Sequence, residues 1–136
     1  MIYGIGTDIV EISRITKMKS LSSFAEKILS SNELEIASQY KNDKLIKYLA
    51  KQFAAKEAIS KAFGTGIRKP ILMKDIEIIR DEIGKPFLNP LAGVKKTIID
   101  LGITKSHVSL ADESEYVIAF AILEAEVTTV SLGSSS

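Results

Sequence analysis

From Asp43 to about Phe63 the chain runs without a glycine or proline, repeats alanine, and sets Leu45, Leu49 and Phe53, with Ile46, Ala50 and Ala54 beside them, at helical spacing. Such a stretch combines high helix propensity with one apolar face, and Gly64 supplies the residue that ends it. This is the longest helix, and the rest of the chain must be arranged around the face it buries. Glu57 is out of place there: its neighbours on the helical wheel are Ile46, Ala50, Phe53, Ala54, Ser60, Lys61 and Gly64. Burying an unpaired charge on that stripe costs several kcal/mol. Two readings stay open: an exposed pair with Lys61 one turn on, worth about 0.3–0.5 kcal/mol, or a carboxylate that serves a cation brought from elsewhere.

Around this helix the periodicities alternate between strand and helix. Residues 2–10 place Tyr3, Ile5 and Ile9 on one side and Gly4, Gly6 and Asp8 on the other, which predicts a strand with its apolar side in the core. Ser23 before Glu26 and Ser30 before Glu33 are capping-box patterns, predicting two short helices in succession. Asp75 to Ile79 alternates as a strand, and Asp81 to Pro86, with Gly84, reads as the turn of a hairpin returning through Phe87 and Leu88. Asn89-Pro90 is expected to start a helix that Gly102 ends. His107 to Leu110 and Tyr116 to Leu123 read as strands, the second so apolar that both faces are expected to be covered. The class is α+β. Residues 1–128 form a single domain, and residues 129–136, ending in Leu132-Gly133-Ser134-Ser135-Ser136, read as a disordered tail.

Composition removes several chemistries. Without cysteine there are no disulfides, thiolate zinc sites or thiol nucleophiles, and a single histidine, His107, rules out multi-histidine metal clusters, so a metal here is to be held by oxygen. The longest apolar run, Tyr116 to Leu123, is far shorter than the roughly 18 residues of a membrane helix, and the start Met1-Ile2-Tyr3-Gly4 lacks a basic signal head. A cytoplasmic protein is expected. The net charge is only +1, but residues 41–69 carry eight Lys/Arg against two Asp/Glu. That excess suggests an anionic ligand or, as plainly, a solvated lysine-rich helix face.

Asp8 is the second misplaced carboxylate, because aspartate is rare in strands, and the glycines on its side leave room for a close approach. It reads either as a strand-ending residue that caps a turn or as a partner of Glu57. Two carboxylates from separate elements suit a hard cation such as Mg²⁺, which takes one or two carboxylates and completes its shell with water and phosphate oxygens. Lys61 is followed by Gly64-Thr65-Gly66, a cation and a flexible turn fit for a phosphate, although a helix-ending glycine explains Gly64 without any ligand. The phosphate-loop pattern is absent, and Gly4-Ile5-Gly6 is no dinucleotide fingerprint, since Ile9 stands at the third glycine position. His107 and Ser109 share one side of a strand, but no G-x-S-x-G elbow surrounds the serine. Arg14, Lys17 and Lys19, interleaved with Ile15 and Met18, form a basic and apolar surface that is either a docking patch or a first helix facing water.

Three segments in this order, Gly4-Ile5-Gly6-Thr7-Asp8-Ile9-Val10-Glu11-Ile12, Phe53-Ala54-Ala55-Lys56-Glu57-Ala58-Ile59-Ser60-Lys61-Ala62-Phe63-Gly64-Thr65-Gly66 and His107-Val108-Ser109-Leu110, together with Gly84-Lys85-Pro86 in the hairpin, resemble the holo-acyl-carrier-protein synthase family of 4′-phosphopantetheinyl transferases. The resemblance covers nearly the whole chain apart from the tail. It implies a phosphopantetheinyl transferase-like fold, with an antiparallel sheet packed against one long helix and several short ones. It also implies transfer of 4′-phosphopantetheine from coenzyme A to a serine of apo acyl carrier protein, with adenosine 3′,5′-bisphosphate released, Mg²⁺ required, and a place in fatty acid biosynthesis. The family is homotrimeric, with coenzyme A at a subunit boundary, and neither a membrane nor nucleic acid is implied as partner. Carried over by position, Asp8 and Glu57 are the metal ligands and, with Lys61, the catalytic residues. Phe53, Lys61, Gly64, Thr65, Gly66 and His107 lie along coenzyme A, and Arg14, Lys17, Met18 and Lys27 dock the acidic carrier protein. Two positions depart from the family pattern: Asp112 stands where a second histidine is usual, reversing the charge beside a phosphate-bearing ligand, and Gln52 stands where an arginine is usual. Competing readings are a non-catalytic coenzyme A or nucleotide-binding module and a small nucleic-acid-binding domain, the latter opposed by the near-zero net charge and the acids clustered from Asp112 to Glu126.

Overall fold

The computed structural model describes residues 1–127; the domain end at residue 128 and the tail at 129–136 lie outside the described residues. The fold is α+β. Three antiparallel strands form the main sheet in the order β1 (Ile2–Glu11), β5 (Tyr116–Ala125), β4 (Ile103–Asp112). The long helix α4 (Asn42–Phe63) lies across one face of this sheet and ends at Gly64, whose φ of 85° is the left-handed conformation that a C-terminal glycine supplies. Short helices α1 (Ile12–Thr16), α2 (Leu21–Ile28) and α3 (Ser31–Ala37) lead from β1 into α4, and a hairpin of β2 (Ile76–Arg80) and β3 (Pro86–Pro90), then α5 (Ala92–Leu101), leads from α4 to β4.

The face of the sheet that meets α4 is the opposite of the one the alternation in β1 suggested. Gly4, Gly6 and Val10 point at the helix, in register with Leu123, Ala121 and Val117 of β5, and Val117, Ala119, Ala121 and Leu123 are fully buried. Tyr3, Ile5 and Ile9 point outward instead, exposed by 41%, 53% and 59%. β5 is likewise covered on one face only, with Tyr116, Ile118 and Phe120 on the open side. The reason is steric. A Cβ on Gly6 would stand 1.8 Å from the Ala58 carbonyl oxygen and one on Gly4 1.9 Å from that of Ala62, so α4 rests on the bare strand backbone. Two strand residues advance about 6.7 Å and four helix residues about 6 Å, so successive glycines meet successive helical turns.

Local signals set some helix ends and pairing elsewhere sets others. Ser30 and Glu33 form the expected capping box at the start of α3. The start of α2 is earlier than expected: Ser20 accepts the Ser23 N–H, so Ser23 lies inside the first turn. α5 begins at Ala92 because Asn89 and Pro90 remain paired with Glu77 and Ile76 in the hairpin, where the Asn89 amide donates to Glu77 at 2.7 Å.

Behind α4 lies a buried polar cluster that the sequence analysis did not identify. Lys56 is fully buried and its ammonium donates to Glu33 Oε1 (2.6 Å), Met73 O (2.9 Å) and Ile76 O (2.7 Å), which satisfies all of its donors. Glu33 also accepts from the Ser30 amide (2.8 Å), the Ile78 amide (2.9 Å) and Gln52 Nε2 (2.6 Å). Burial lowers the pKa of Lys56, and the charge of Glu33 opposes that shift. Among the described residues no buried side-chain polar atom lacks a partner. Gln52, one of the two departures from the family pattern, therefore has a structural place, bridging Glu33 and the Ile78 carbonyl (3.0 Å).

Candidate active site

The two misplaced carboxylates are brought together. Asp8 sits mid-strand, paired with Ala119, on the side of β1 that faces α4, so it is not a strand-ending cap. Its Oδ1 accepts the Lys61 ammonium at 3.0 Å, and the same ammonium donates to Thr7 O at 3.0 Å. Glu57, one helical turn before Lys61, has its carboxyl held above the ordinary range, first by burial and then by the negative charge of Asp8, with Lys61 opposing. Of the two readings left open for Glu57, the simple pair with Lys61 does not form; the lysine goes to Asp8. Lys61 thus neutralises Asp8 and reaches Glu57 only through its field, which leaves the two carboxylates short of positive charge.

That donor set fits a hard dication. The oxygens are carboxylate, and among the described residues no group of three or more His, Cys, Asp or Glu gathers as a metal cage. Two carboxylates leave most of an octahedral shell to water and ligand oxygens, which is the habit of Mg²⁺ rather than Zn²⁺ or a caged Ca²⁺. Positive charge is also what Glu57 lacks, since its ionisation is opposed by burial and by Asp8.

Beyond Lys61 the Gly64–Gly66 turn is stabilised by its own backbone bonds, Gly64 N–H to Lys61 O (2.9 Å) and Gly66 N–H to Ser60 O (3.2 Å), while the Thr65 hydroxyl donates to Gly66 O (2.8 Å). These amides are engaged within the turn, yet nothing lies within 4 Å of where a Cβ would stand on either glycine, so a ligand has room to approach. A hollow of about 340 Å³ beside the cluster is lined by Thr7, Asp8, Ile9, Lys61 and Ile118. His107 is elsewhere within the chain: it pairs with Ile122 on the outward side of the sheet, with Nε2 2.6 Å from Glu124 Oε2.

The proposed docking residues converge in part. Arg14, Met18 and Lys27 line a cleft of about 730 Å³ together with Phe53, Phe24 and the Leu72–Asp75 segment. The Phe24 and Phe53 rings are 5.5 Å apart. Lys17, the residue after α1, is exposed and does not line the cleft. The lysine excess of residues 41–69 resolves into distinct uses. Lys56 is buried and Lys61 holds Asp8, while Lys44, Lys47 and Lys51 line a second cleft, of about 580 Å³, with Arg80, Tyr40 and Tyr48. At its edge Asp112 pairs with Lys47 (3.2 Å) and Lys51 (3.3 Å), and the Lys47 hydrogen bond holds its carboxyl below the ordinary range.

Residues 4–121 match the profile of the 4′-phosphopantetheinyl transferase superfamily. The chain is 46% identical over 130 residues to the holo-[acyl-carrier-protein] synthase of Salmonella arizonae, covering 93% of this chain and 97% of that protein. It is also 46% identical over 127 residues to the holo-[acyl-carrier-protein] synthase of Blochmanniella pennsylvanica, covering 91% and 99%. Among solved structures, the holo-[acyl-carrier-protein] synthase of Neisseria meningitidis superposes with a TM-score of 0.86 at 42% identity, over 91% of this chain and 99% of that one. The Bacillus anthracis holo-(acyl-carrier-protein) synthase, in complex with CoA (3′,5′-ADP), superposes at 0.80 with 40% identity, over 93% and 99%. With the family profile matched over residues 4–121 and relatives of 46% and 42% identity covered over nearly their whole length, the chain belongs to the holo-[acyl-carrier-protein] synthase family of 4′-phosphopantetheinyl transferases.

Proposed function

We propose that Asp8, Glu57 and Lys61 form the reaction centre of an enzyme that transfers 4′-phosphopantetheine from coenzyme A to a serine of apo acyl carrier protein, releasing adenosine 3′,5′-bisphosphate. The observation that carries this reading is the 3.0 Å contact of Lys61 with Asp8, which fixes the carboxylate of β1 against α4 one helical turn from Glu57. Attack of the serine hydroxyl on the diphosphate of coenzyme A forms a phosphodiester and breaks the phosphoanhydride bond, piling negative charge onto the phosphoryl oxygens and the leaving group, so fixed positive charge is the main means of catalysis. Asp8 and Glu57 would hold Mg²⁺, which when bound supplies that charge to the diphosphate. Lys61, half-exposed at the end of α4, stabilises the departing phosphate, and the open Gly64–Gly66 turn lets the ligand backbone pass close to the helix terminus. Phe53 offers an apolar surface to the pantetheine arm where the 730 Å³ cleft begins.

The same cleft supports carrier-protein docking. Arg14, Lys27 and Lys74 stand against one acid, Asp75, around an apolar floor that includes Met18 and Phe53, a surface suited to an acidic helix with an apolar stripe. Arg14→Ala is expected to raise the KM for carrier protein about tenfold while kcat changes less than about twofold, and added salt should shrink the difference. Steady-state kinetics at two ionic strengths reads both.

Two further copies of the chain account for the outward face of the sheet, where Ile5, Ile9, Ile118 and Phe120 are exposed together. A homotrimer would cover it. Ile9 and Ile118 belong to that face and also line the hollow beside Asp8 and Lys61, so a neighbour would wall the reaction centre. His107, on the same face, would then serve the coenzyme A bound by an adjacent copy. No helix among the described residues is long and apolar enough to cross a membrane, and the cytoplasm and fatty acid biosynthesis are the setting this activity fits. The decisive experiment is mass spectrometry of apo carrier protein incubated with coenzyme A and this chain. A gain of one phosphopantetheinyl group, lost with chelator and restored by Mg²⁺, is the expected result; unmodified carrier protein under all conditions would leave only ligand binding.

A further inference from the structure

We propose that Lys61 is the resident counter-ion of the carboxylate pair and competes with the dication for Asp8, so that metal binding releases its ammonium toward the incoming diphosphate. The inference rests on the reading of Asp8 and Glu57 as metal ligands and adds a second, opposing role for a residue already placed at the phosphate.

The geometry sets up the competition. The Lys61 ammonium lies 3.0 Å from Asp8 Oδ1, which is the contact a ligating oxygen must give up or share when a metal takes it at about 2.0–2.1 Å. Its other contact, Thr7 O at 3.0 Å, is a neutral carbonyl of the adjacent strand residue. The ammonium also opposes the rise in the Glu57 pKa, so one positive charge serves both carboxylates. With a dication in place, that charge is surplus and repelled at close range. The side chain can leave: it is 50% exposed, and it is anchored on the last turn of α4 directly before the Gly64–Gly66 turn, whereas the Asp8 side chain is only 15% exposed and stays fixed on the strand. Released, Lys61 is free on the side from which a phosphate approaches. The arrangement couples the two binding events: the cation that stabilises the phosphate becomes available only once the metal has taken over Asp8.

The test uses Mn²⁺ as the probe, titrated into the full-length protein without coenzyme A or carrier protein, with free Mn²⁺ read by electron paramagnetic resonance. Lys61→Met is expected to bind Mn²⁺ about tenfold tighter than the unaltered chain, while its turnover falls. Lys61→Arg, which keeps the charge, should bind within about twofold of the unaltered chain. Lys47→Met removes an ammonium from the same helix at a distance, beside Asp112, and should also leave Mn²⁺ affinity within about twofold. Equal or weaker binding by Lys61→Met overturns the proposal, as does equal tightening by Lys47→Met, which would make the effect one of net charge. If Glu57→Gln binds Mn²⁺ as well as the unaltered chain, the metal reading of the pair fails first, and the competition with it.

Discussion

Glu57→Gln should lower turnover about a thousandfold or more while leaving the chain folded and at least as stable as before. The amide matches the carboxylate in shape but removes the negative charge that would anchor the dication, and stabilisation of developing charge is usually the largest catalytic contribution. The stability half of the prediction follows from the sign of the pKa shift. The folded state holds the Glu57 carboxyl above its ordinary value, by burial and by Asp8, so the folded chain binds that proton more tightly than the unfolded chain does. Ionisation of Glu57 therefore lowers stability as pH rises through the interval between the two values, and a neutral amide is spared that loss. Gain of stability with loss of activity marks a residue kept for chemistry. Rate measurement in the carrier-protein mass assay, paired with a thermal melt at neutral pH, reads both; turnover within a few-fold of the unaltered chain would remove Glu57 from the reaction centre.

Gly6→Ala is expected to be the most damaging single methyl group in the chain. Its Cβ would stand 1.8 Å from the Ala58 carbonyl oxygen and 2.7 Å from the Ala62 amide, both helix backbone, which has no rotamer to change. Either β1 lifts from α4 or the helix shifts as a body, and we expect a loss of about 3 kcal/mol or more, lowering the melting temperature by about 10 °C or more. Any lift of β1 carries Asp8, two residues on, away from Glu57 and Lys61, so activity should fall below what the melt alone explains. Gly84→Ala is the contrast. That glycine has φ +86° and open space around it, so only backbone strain of about 1–2 kcal/mol applies, far from the carboxylates. A Gly6→Ala chain that melts with the unaltered one would contradict the backbone contact.

What could be read from the residues alone was what is encoded locally. The span of α4 followed from its alanines and its terminal glycine, and the start of α3 from the capping box of Ser30 and Glu33, because propensity and capping act within a few residues. Gly4 and Gly6, on the same side of the strand as Asp8, announced a close approach without saying to what. The alternation of β1 points to the wrong core side for a physical reason: large apolar residues ordinarily face the core, whereas in this fold the helix lies on backbone and the isoleucines are left outside. The meeting of Asp8 with Glu57 joins positions far apart in the chain and is set by how β1 seats on α4, which no spacing reveals. The buried cluster was missed because Glu33 and Lys56 are charged residues on helices, where charge ordinarily means surface. One signal was present. Leu49, Gln52, Lys56, Ile59 and Phe63 recur at alternating spacings of three and four and are all buried, so two polar residues sit in an apolar seam.

That seam constrains how the sequence can drift over generations. Glu33 and Lys56 form an ion pair across 23 positions of sequence, with neither side chain exposed to solvent. Losing one partner of such a pair costs roughly 3–5 kcal/mol, a large share of the roughly 5–15 kcal/mol that holds a domain together, whereas exchanging both for well-packed apolar residues is often neutral. Descendants of this chain would therefore cross from one interior to the other only by a near-simultaneous double step, leaving α3 and α4 bound in heredity although neither Glu33 nor Lys56 is assigned to the reaction.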